Sequence, residues 1–370
     1  MKKIGITGQN GFLGWHLYQW LNTKKEEYTL VNFNREYFED TTLLIEFVKK
    51  CDVIVHLSAL NRHQNQEIIY NTNVSLVEKL IAACKKAKKY PMILFSSSTQ
   101  ETQDNLYGKS KLKGKELFKT FATEHNSSFV SMQIPNVFGP FGLPDYNSFV
   151  ATFCHKLVNN HQPEIKVDSE VGLIYVQELV ERITKNLNYF GIKEEIIEPG
   201  YHIKVSEVLR LLSQFKAQYL EAGQIPVLSN KFEINLFNTF RSFINPEIYP
   251  RPLIPHADNR GRFVEIIRSD IGGQTSYSTT FPDITRGNHY HTRKIERFAV
   301  IKGKALIQLR KIGSGKVFNF FLDGESPSYV DMPVWFTHNI KNIGNEELLT
   351  VFWINEAFDP IDPDTYFETV

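Results

Sequence analysis

The sequence has little cysteine, almost no net charge and no long hydrophobic run, and each absence excludes a class of protein. Its three cysteines, Cys51, Cys84 and Cys154, are odd in number and widely spaced. This pattern does not fit a disulfide framework and predicts buried, reduced thiols. A formal charge of +1 gives no overall attraction to nucleic acid or to an anionic membrane. No apolar run reaches the roughly 20 residues that span a bilayer, and no signal peptide is recognisable at Met1. We therefore expect a cytoplasmic protein that binds neither nucleic acid nor membrane.

The length of the chain, 370 residues, exceeds that at which a single hydrophobic core keeps growing, so two domains are expected. Up to about residue 160, short apolar runs alternate with helical patterns, which predicts a Rossmann-like parallel α/β sheet. A smaller α/β region follows to about residue 225, and Gly223 closes its last predicted helix.

A change of pattern marks the second domain. Four prolines between residues 244 and 263 predict a linker. Beyond it the helical patterns stop, and short strands separated by Gly, Pro, Asn and Asp predict an all-β barrel or jelly roll. The predicted domains are residues 1–245, with a small substrate-binding region at about 140–240, and residues 246–370.

A glycine-rich loop lies between the first predicted strand and its helix. Gly8, Gly11 and Gly14 form GxxGxxG, in which glycine permits a tight turn and a close approach of the backbone to a pyrophosphate at the helix N-terminus. A purely structural turn is the alternative for such a triplet taken alone. The position between a strand and a helix favours a dinucleotide site.

The end of the second predicted strand indicates which dinucleotide is bound. Enzymes that use NAD usually place an acidic residue there, whereas Asn32 and Asn34 are uncharged and Arg35 is positive. A guanidinium suits a ribose 2′-phosphate; the alternative is a solvated arginine. The sequence therefore predicts NADPH.

A tyrosine and a lysine four residues apart follow a serine-rich strand. On a helix, this spacing puts Tyr107 and Lys111 on one face. A free tyrosine has a pKa of about 10, and a neighbouring ammonium group is expected to lower the pKa of Tyr107 toward neutrality. Ser98, at the end of the preceding strand, is placed to hydrogen-bond a reacting oxygen.

The motifs "TGQNGFLG", "DVIVHLSA", "NTNV", "FSSS", "YGKSK" and "PNVFGP" resemble the ordered landmarks of extended short-chain dehydrogenase/reductases that act on nucleotide sugars. The resemblance implies that Ser98, Tyr107 and Lys111 are catalytic, together with Asn73. It also implies that the "HLSA" turn lies against the cofactor. The expected cofactor-binding residues are Gly8, Gly11, Phe12, Leu13, Gly14, Asn34, Arg35, Leu57, Ser58, Ala59, Tyr107 and Lys111.

The chain departs from this reductase pattern on the substrate side. The resemblance implies substrate contacts at Asn136, Asn147 and Ser148. However, Gln133 replaces the arginine that usually precedes the first of these, and "YVQE" replaces "YVDD". The segment from the serine-rich strand to Tyr107 is also short for the family, which leaves open whether Ser97 or Ser98 acts.

A group of potential metal ligands lies in the C-terminal half. His289 and His291 are two residues apart, so a strand projects both to the same face. Glu296 follows closely, and barrel closure would bring His338 alongside. Three nitrogens and one carboxylate suit Zn²⁺, with Mn, Fe and Ni left open. The spacing resembles the two motifs of the cupin family, except that Trp335 replaces a glycine.

The role of this metal is open at the sequence level. A closed site is structural, whereas an open coordination position makes a Lewis acid that acidifies a C–H beside a sugar ketone. No residue stands out as a base. The flanking candidates Tyr290, Lys294, Asp258 and Arg260 are expected to pack or to face solvent.

The whole chain resembles the bifunctional capsular-polysaccharide enzymes of the CapF type, through "DYNSFVATFC", "RGRFVEI", "RGNHYHTRKIERF" and "WINEAFDPIDPDTYFETV". The resemblance implies a homodimer whose cupin epimerises C3 of a UDP-linked 2-acetamido-2,6-dideoxy-4-ketohexose. The reductase then reduces C4 with NADPH, giving UDP-N-acetyl-6-deoxy-L-talosamine, the precursor of UDP-N-acetyl-L-fucosamine. Three alternatives are a reductase with a structural, dimerising cupin, an NADPH sensor, and an NAD-dependent epimerase or dehydratase that regenerates its cofactor.

Overall fold

The structure is a computed structural model that describes residues 1–259, 261–269 and 272–370, so Arg260 lies outside the described residues. It divides into two compact units, Met1–Thr152 with Val167–Val205, and Phe153–Lys166 with Ser206–Val370. The units therefore differ from the predicted domains over residues 153–166 and 206–245. For the second of these segments, the physical reason is that the side chains of Tyr219 and Arg241 donate hydrogen bonds to Asp331 Oδ2 and to the Met332 carbonyl, respectively.

The first unit is built on a six-stranded parallel sheet in the order β2-β1-β3-β4-β5-β8, with a three-stranded sheet, β6-β7-β9. This arrangement confirms the predicted Rossmann-like fold. Its strands are β1 (Lys2–Thr7), β2 (Tyr28–Val31), β3 (Val53–His56), β4 (Met92–Ser98), β5 (Phe129–Ile134), β6 (Asn136–Phe138), β7 (Glu170–Tyr175), β8 (Ile192–Ile196) and β9 (Tyr201–Lys204). The helices of the chain are α1 (Phe12–Asn22), α2 (Thr41–Lys50), α3 (Gln66–Ala87), α4 (Leu106–Glu124), α5 (Phe149–Val158), α6 (Val176–Asn186), α7 (Val205–Phe215) and α8 (Lys231–Arg241).

Side-chain caps determine where the helices around this sheet begin. Asp40, Asn65 and Asn105 each accept a backbone N–H in the first turn of α2, α3 and α4, a favourable N-cap. The cap at Asn105 puts Tyr107 in the first turn of α4. Strands β3 and β4 are buried along their whole length, as expected for a parallel sheet covered on both faces. A cluster of buried phenylalanines, including Phe118, fills the core between the sheet and α2–α4.

The second unit consists mainly of antiparallel strands, which confirms the predicted all-β fold of the C-terminal region. Two five-stranded sheets have the orders β10-β18-β15-β20-β13 and β17-β16-β19-β14-β21, and β11-β12 forms a hairpin. The strands are β10 (Arg251–Pro252), β11 (Pro255–Asp258), β12 (Gly261–Val264), β13 (Gln274–Thr280), β14 (Thr285–Tyr290), β15 (Glu296–Lys302), β16 (Lys304–Lys311), β17 (Val317–Asp323), β18 (Ser328–Met332), β19 (Phe336–Asn342), β20 (Leu348–Ile354) and β21 (Tyr366–Phe367).

Two sequence expectations at the start of this unit have different outcomes. The predicted helix that ends at Gly223 is present as α7 followed by a π-helical turn, Lys216–Glu221, and Gly223 has a positive φ of 71°. The predicted linker at 244–263 is wrong, because it contains β10, β11 and the first residues of β12. Among the described residues, no helix is long and apolar enough to cross a bilayer.

Candidate active site and metal centre

The glycine loop joins β1 to α1 and shapes a concave backbone surface. Gly8 has a positive φ of 78°, and its carbonyl accepts a hydrogen bond from the Gly11 N–H at 2.9 Å. A Cβ on Gly14 would lie 2.1 Å from the Gly8 carbonyl oxygen, so only glycine fits there. Phe12 and Leu13 begin α1, and the cap residue Gly11 has no side chain to cover the helix N-terminus. This geometry fits a pyrophosphate.

The ends of β2 and β3 lie beside this loop. Gln9 Oε1 accepts a hydrogen bond from the Phe33 N–H at 3.1 Å, which ties the loop to the segment after β2. Asn34 caps the turn Arg35–Phe38, and Arg35 itself is exposed. Ser58 N would be 3.0 Å from a Cβ on Gly8, so the Leu57–Ala59 turn packs on the glycine loop.

Tyr107, Ser98 and Lys111 come together where β4 ends and α4 begins. The Ser98 side chain lies close enough to the Tyr107 hydroxyl to influence its pKa as a hydrogen-bonding neighbour. Lys111 is buried, with Nζ 5.7 Å from the centre of the Tyr107 ring and 2.8 Å from the Ser96 carbonyl, to which it donates. Burial lowers the pKa of Lys111 to about 8.

The pKa of Tyr107 moves in the opposite direction from the sequence-based expectation. Burial, and secondarily the nearby Tyr146, raise it to about 12, while the hydrogen bond from Ser98 opposes the shift. The expectation of a lowered pKa is therefore wrong for this structure, because desolvation of the phenolate dominates. Tyr107 holds its proton at neutral pH and is suited to donate it.

The two candidate serines have different partners. Ser97 Oγ donates to the carboxylate of the buried Glu101, whereas Ser98 meets Tyr107. The geometry therefore favours Ser98 as the residue that contacts a reacting oxygen. Glu101 also accepts from Gln133 and from Lys115 Nζ, the latter at 2.6 Å. Sequence reasoning noted Gln133 as unusual but did not find Glu101.

Asn73 connects two parts of this site. Its Oδ1 accepts from the Leu60 N–H at 2.7 Å, and its Nδ2 donates to the Leu60 carbonyl and to Ser110 Oγ at 3.1 and 3.0 Å. Asn73 thereby fixes the segment after β3 against α4, next to Lys111.

The predicted substrate residues do not form one cluster of contacts. Asn136 and Asn147 are exposed, and Ser148 Oγ caps α5 by accepting the Ala151 N–H at 3.3 Å. The residue of this loop that interacts with Tyr107 is Tyr146, which sequence reasoning missed although it immediately precedes the predicted pair.

In the second unit, the four predicted metal ligands are brought together. His289 on β14 pairs across the sheet with His338 on β19, while His291 and Glu296 lie at the two ends of the loop that leads into β15. One potential ligand atom from each residue lies within 4.8 Å of the others. Glu296 Oε2 is 3.1 Å from His291 Nε2 and 3.2 Å from His338 Nε2.

This cluster has the properties expected of a cation site. His291 Nε2, His338 Nε2 and Glu296 Oε2 are buried and form no well-aligned hydrogen bond with any residue of the described ranges. Burial lowers the pKa of His289 to about 4, so its imidazole is neutral and suited to ligate. Burial also opposes ionisation of Glu296, but the neighbouring histidines outweigh it and lower the pKa of that carboxyl. A divalent metal fits this donor set.

The flanking candidates do not supply an evident base. Tyr290 is stacked between Trp335 and Tyr366, and burial raises its pKa well above the ordinary value. Lys294 is buried and donates to the Pro363 carbonyl at 2.7 Å. Asp258 is exposed on β11.

Comparisons with known proteins agree with this two-part organisation. Residues 4–196 match the NAD dependent epimerase/dehydratase family, and residues 256–366 match the polysaccharide biosynthesis C-terminal domain. A solved NADPH complex of RMD from Pseudomonas aeruginosa shares the fold of the first part, with 17% identity and a TM-score of 0.53 over 59% of this chain and 84% of that one. These matches define a dehydrogenase/reductase of the extended short-chain class joined to a polysaccharide-biosynthesis domain.

Two full-length relatives narrow this class. UDP-2-acetamido-2,6-beta-L-arabino-hexul-4-ose reductase from Pseudomonas aeruginosa strain PA103 is 32% identical over 98% of both chains. The crystal structure of the capsular polysaccharide assembling protein CapF from Staphylococcus aureus matches over 100% of both chains, with 33% identity and a TM-score of 0.62. The chain belongs to the CapF-type family of polysaccharide-biosynthesis enzymes.

Proposed function

We propose that this protein is a bifunctional enzyme acting on a UDP-linked 2-acetamido-2,6-dideoxy-4-ketohexose. The second unit epimerises C3, and the first unit reduces the C4 ketone with NADPH to give UDP-N-acetyl-6-deoxy-L-talosamine, the precursor of UDP-N-acetyl-L-fucosamine. The full-length similarity to a 4-keto nucleotide-sugar reductase supports the substrate class. The observation that carries the reductase assignment is the meeting of the Tyr107 and Ser98 side chains at the carboxyl end of β4.

The reduction follows from the state of these groups. NADPH supplies a hydride to C4 of the ketone when it is bound. Ser98 and Tyr107 orient the C4 oxygen, and Tyr107, whose raised pKa keeps it protonated, delivers a proton to that oxygen as negative charge develops. Asn73 and Lys111 hold this end of α4 in place. Positioning of the ketone supplies much of the rate.

The cofactor would be held by the concave backbone of the glycine loop. Gly8, Gly11 and Gly14 admit the pyrophosphate, and Arg35 would meet the ribose 2′-phosphate. Replacing Arg35 with Ala should weaken NADPH about tenfold while leaving NADH nearly unchanged. Equal loss for both cofactors would contradict the preference for NADPH.

The metal would be held by His289, His291, Glu296 and His338, and Zn²⁺ suits this set of donors. When bound at an open site, it would polarise the C4 ketone and thereby acidify the neighbouring C3–H. The chain supplies a buried, preassembled set of donors in which Glu296 lies between two imidazoles.

A direct test is to incubate the full chain with the 4-keto substrate in D₂O, with and without NADPH, and to analyse products by NMR. We expect deuterium at C3 in both samples and a reduced C4 only with NADPH. Net consumption of NADPH would exclude an epimerase that regenerates its cofactor. Failure of both exchange and reduction would overturn the proposal.

A second candidate is a reductase whose second unit is a structural, dimerising module. The burial of His291, Glu296 and His338 favours it, because structural metal sites are closed by protein ligands. C4 reduction without any deuterium at C3 would identify this case. We also propose a homodimer, which light scattering on the full chain tests directly.

A further inference from the structure

The loop between two of the proposed metal ligands has no strand partner of its own. Residues 292–295, between His291 and Glu296, lie outside the strands of the second unit. Such a loop would hold its flanking ligands poorly unless another part of the chain fixed it. Asn238 and Asn355 each bond one residue of it, and the largest group of its contacts comes from the last residues of the chain.

A single buried carboxylate gathers the amides of this loop. Asp364 is 3% exposed, and its two oxygens accept from the backbone N–H groups of Thr292, Arg293 and Lys294 at 3.0 to 3.2 Å. Thr292 Oγ1 donates to the same carboxylate at 2.6 Å. Successive amides that converge on one anion form a nest, which sets the conformation of the loop.

The main chain of the same residue orients a ligand directly. His291 Nδ1 lies 2.5 Å from the Asp364 carbonyl oxygen. Because a carbonyl oxygen only accepts, Nδ1 must carry a proton, and in the neutral ring this leaves the lone pair on Nε2. That nitrogen is the one beside Glu296 Oε2. A hydrogen bond of this kind fixes the tautomer and ring orientation of a metal-binding histidine.

The residues after Asp364 reach the other two histidine-bearing strands. β21 pairs with β14, with Phe367 opposite His289. The Glu368 N–H donates to the Asn288 carbonyl at 2.9 Å, and the Glu368 carbonyl accepts from the hydroxyl of Thr337, the neighbour of His338. The segment from Asp364 to the end of the chain thus contacts every histidine-bearing part of the cluster.

We propose that Asp364, together with β21, is a positioning element that preorganises the metal centre, and that its carbonyl selects the metal-binding tautomer of His291. This inference rests on the proposed metal binding. It assigns a role to the C-terminal segment "DPDTYFETV", and that role does not require Asp364 to touch metal or substrate.

The test compares full-length wild type with Asp364→Asn, which keeps the size of the side chain but places an amide donor among backbone donors. Zn²⁺ affinity is measured by competition with a chromophoric chelator, and Co²⁺ absorption reports the ligand geometry. We expect affinity to fall about 10- to 100-fold and the Co²⁺ spectrum to change. The matched control is Asp362→Asn, because Asp362 is an exposed carboxylate of the same segment that bonds Arg293; it should stay within about twofold of wild type.

A second measurement separates positioning from a general loss of folding. In metal-free, ¹⁵N-histidine-labelled protein at a pH high enough for the His291 ring to be neutral, wild-type His291 should show the Nδ1–H tautomer. Asp364→Asn should show a mixture while its near-UV circular dichroism stays native. Affinity and tautomer unchanged in Asp364→Asn would overturn the inference and leave the metal centre standing. Wild type that binds neither Zn²⁺ nor Co²⁺ would overturn both.

Discussion

The two candidate sites differ in how burial and pairing act on their titratable groups. In the first, burial drives Tyr107 and Lys111 toward their uncharged forms, raising one pKa to about 12 and lowering the other to about 8. In the second, pairing outweighs the penalty of burial at two of the four residues, so the pKa of Glu296 falls and that of His291 rises. The first site keeps Tyr107 protonated and able to donate its proton. The second site brings together imidazole nitrogens and a negatively charged carboxylate, which suit a cation.

The two sites also differ in how far apart their parts lie along the chain. Ser98, Tyr107 and Lys111 belong to one strand–helix connection, β4 to α4. The second cluster combines β14, the loop after it, β15 and β19, with Asp364 from the C-terminal segment. The geometry of the first site therefore depends on the end of β4 and the cap of α4. The geometry of the second site depends on how the strands of the whole unit pack together.

The largest expected effect comes from removing the hydroxyl of Tyr107. Tyr107→Phe should lower the rate of NADPH oxidation with the 4-keto substrate about 10²- to 10⁴-fold, because it removes the proposed proton donor to the C4 oxygen. Deuterium exchange at C3 should continue. The control is Tyr90→Phe, which alters a tyrosine stacked on His125 in the same unit and should leave the rate unchanged. Full turnover by Tyr107→Phe would contradict the assignment of the first unit.

The next effect tests the charge of the second site. Glu296→Gln removes the carboxylate between two imidazoles and should weaken Zn²⁺ binding at least about 100-fold, measured by chelator competition. NADPH binding, followed by fluorescence, should not change. Glu325→Gln is a matched control, because that carboxylate is exposed and lies 3.6 Å from Arg262. Equal Zn²⁺ affinity in wild type and Glu296→Gln would remove Glu296 from the ligand set.

Much of both sites was accessible from the sequence because their signals are local. Each signal lies within a few consecutive residues of the chain. These signals are the glycine triplet, the spacing of Tyr107 and Lys111 on a helix, and the pair of His289 and His291. The parallel and antiparallel parts of the fold followed from strand patterns in the same way. His338 required a long-range closure and was found through the spacing of a known family.

What escaped sequence reasoning depends on tertiary packing. Spacing alone does not show how deeply Tyr107 is buried, so the direction of its pKa shift was wrong. Tyr146, Glu101 and Asp364 are brought to their sites by loops and by the C-terminal segment, and no periodic pattern marks them. The linker prediction failed because proline also tolerates edge strands such as β10 and β11.

A smaller effect is expected from Glu101, a buried carboxylate of the first unit that is stabilised by its partners. Glu101 accepts from Ser97, Gln133 and Lys115. Glu101→Ala removes this acceptor from Ser97 and Gln133 and leaves Lys115 with Glu194 alone, so it should lower the free energy of unfolding by about 1–3 kcal/mol in urea titrations. The control is Glu194→Ala, which removes a more exposed partner of the same Lys115 and should cost under about 1 kcal/mol. Equal effects would show that burial of Glu101 adds nothing.

The smallest effect measures the cost of burying Lys111. Its pKa is 10.5 when exposed and about 8 in the folded protein, so between these values the unfolded state binds more protons and stability rises with pH. Below about pH 8 the ammonium opposes folding in full. Lys111→Met should therefore be more stable than wild type by about 1–2 kcal/mol near pH 7, after allowance for the lost bond to Ser96, while losing reductase activity.

This advantage should shrink as the pH rises from about 8 toward 10.5, above which the lysine is uncharged in both the folded and the unfolded state. Urea unfolding of the cofactor-free chain near pH 7 and near pH 10 measures the difference. Lys119→Met, on the exposed face of the same helix and paired with Glu194, should show no such dependence. If Lys111→Met were no more stable than wild type near pH 7, burial would not control the protonation of Lys111. The contrast between the two sites would then be wrong for the first site.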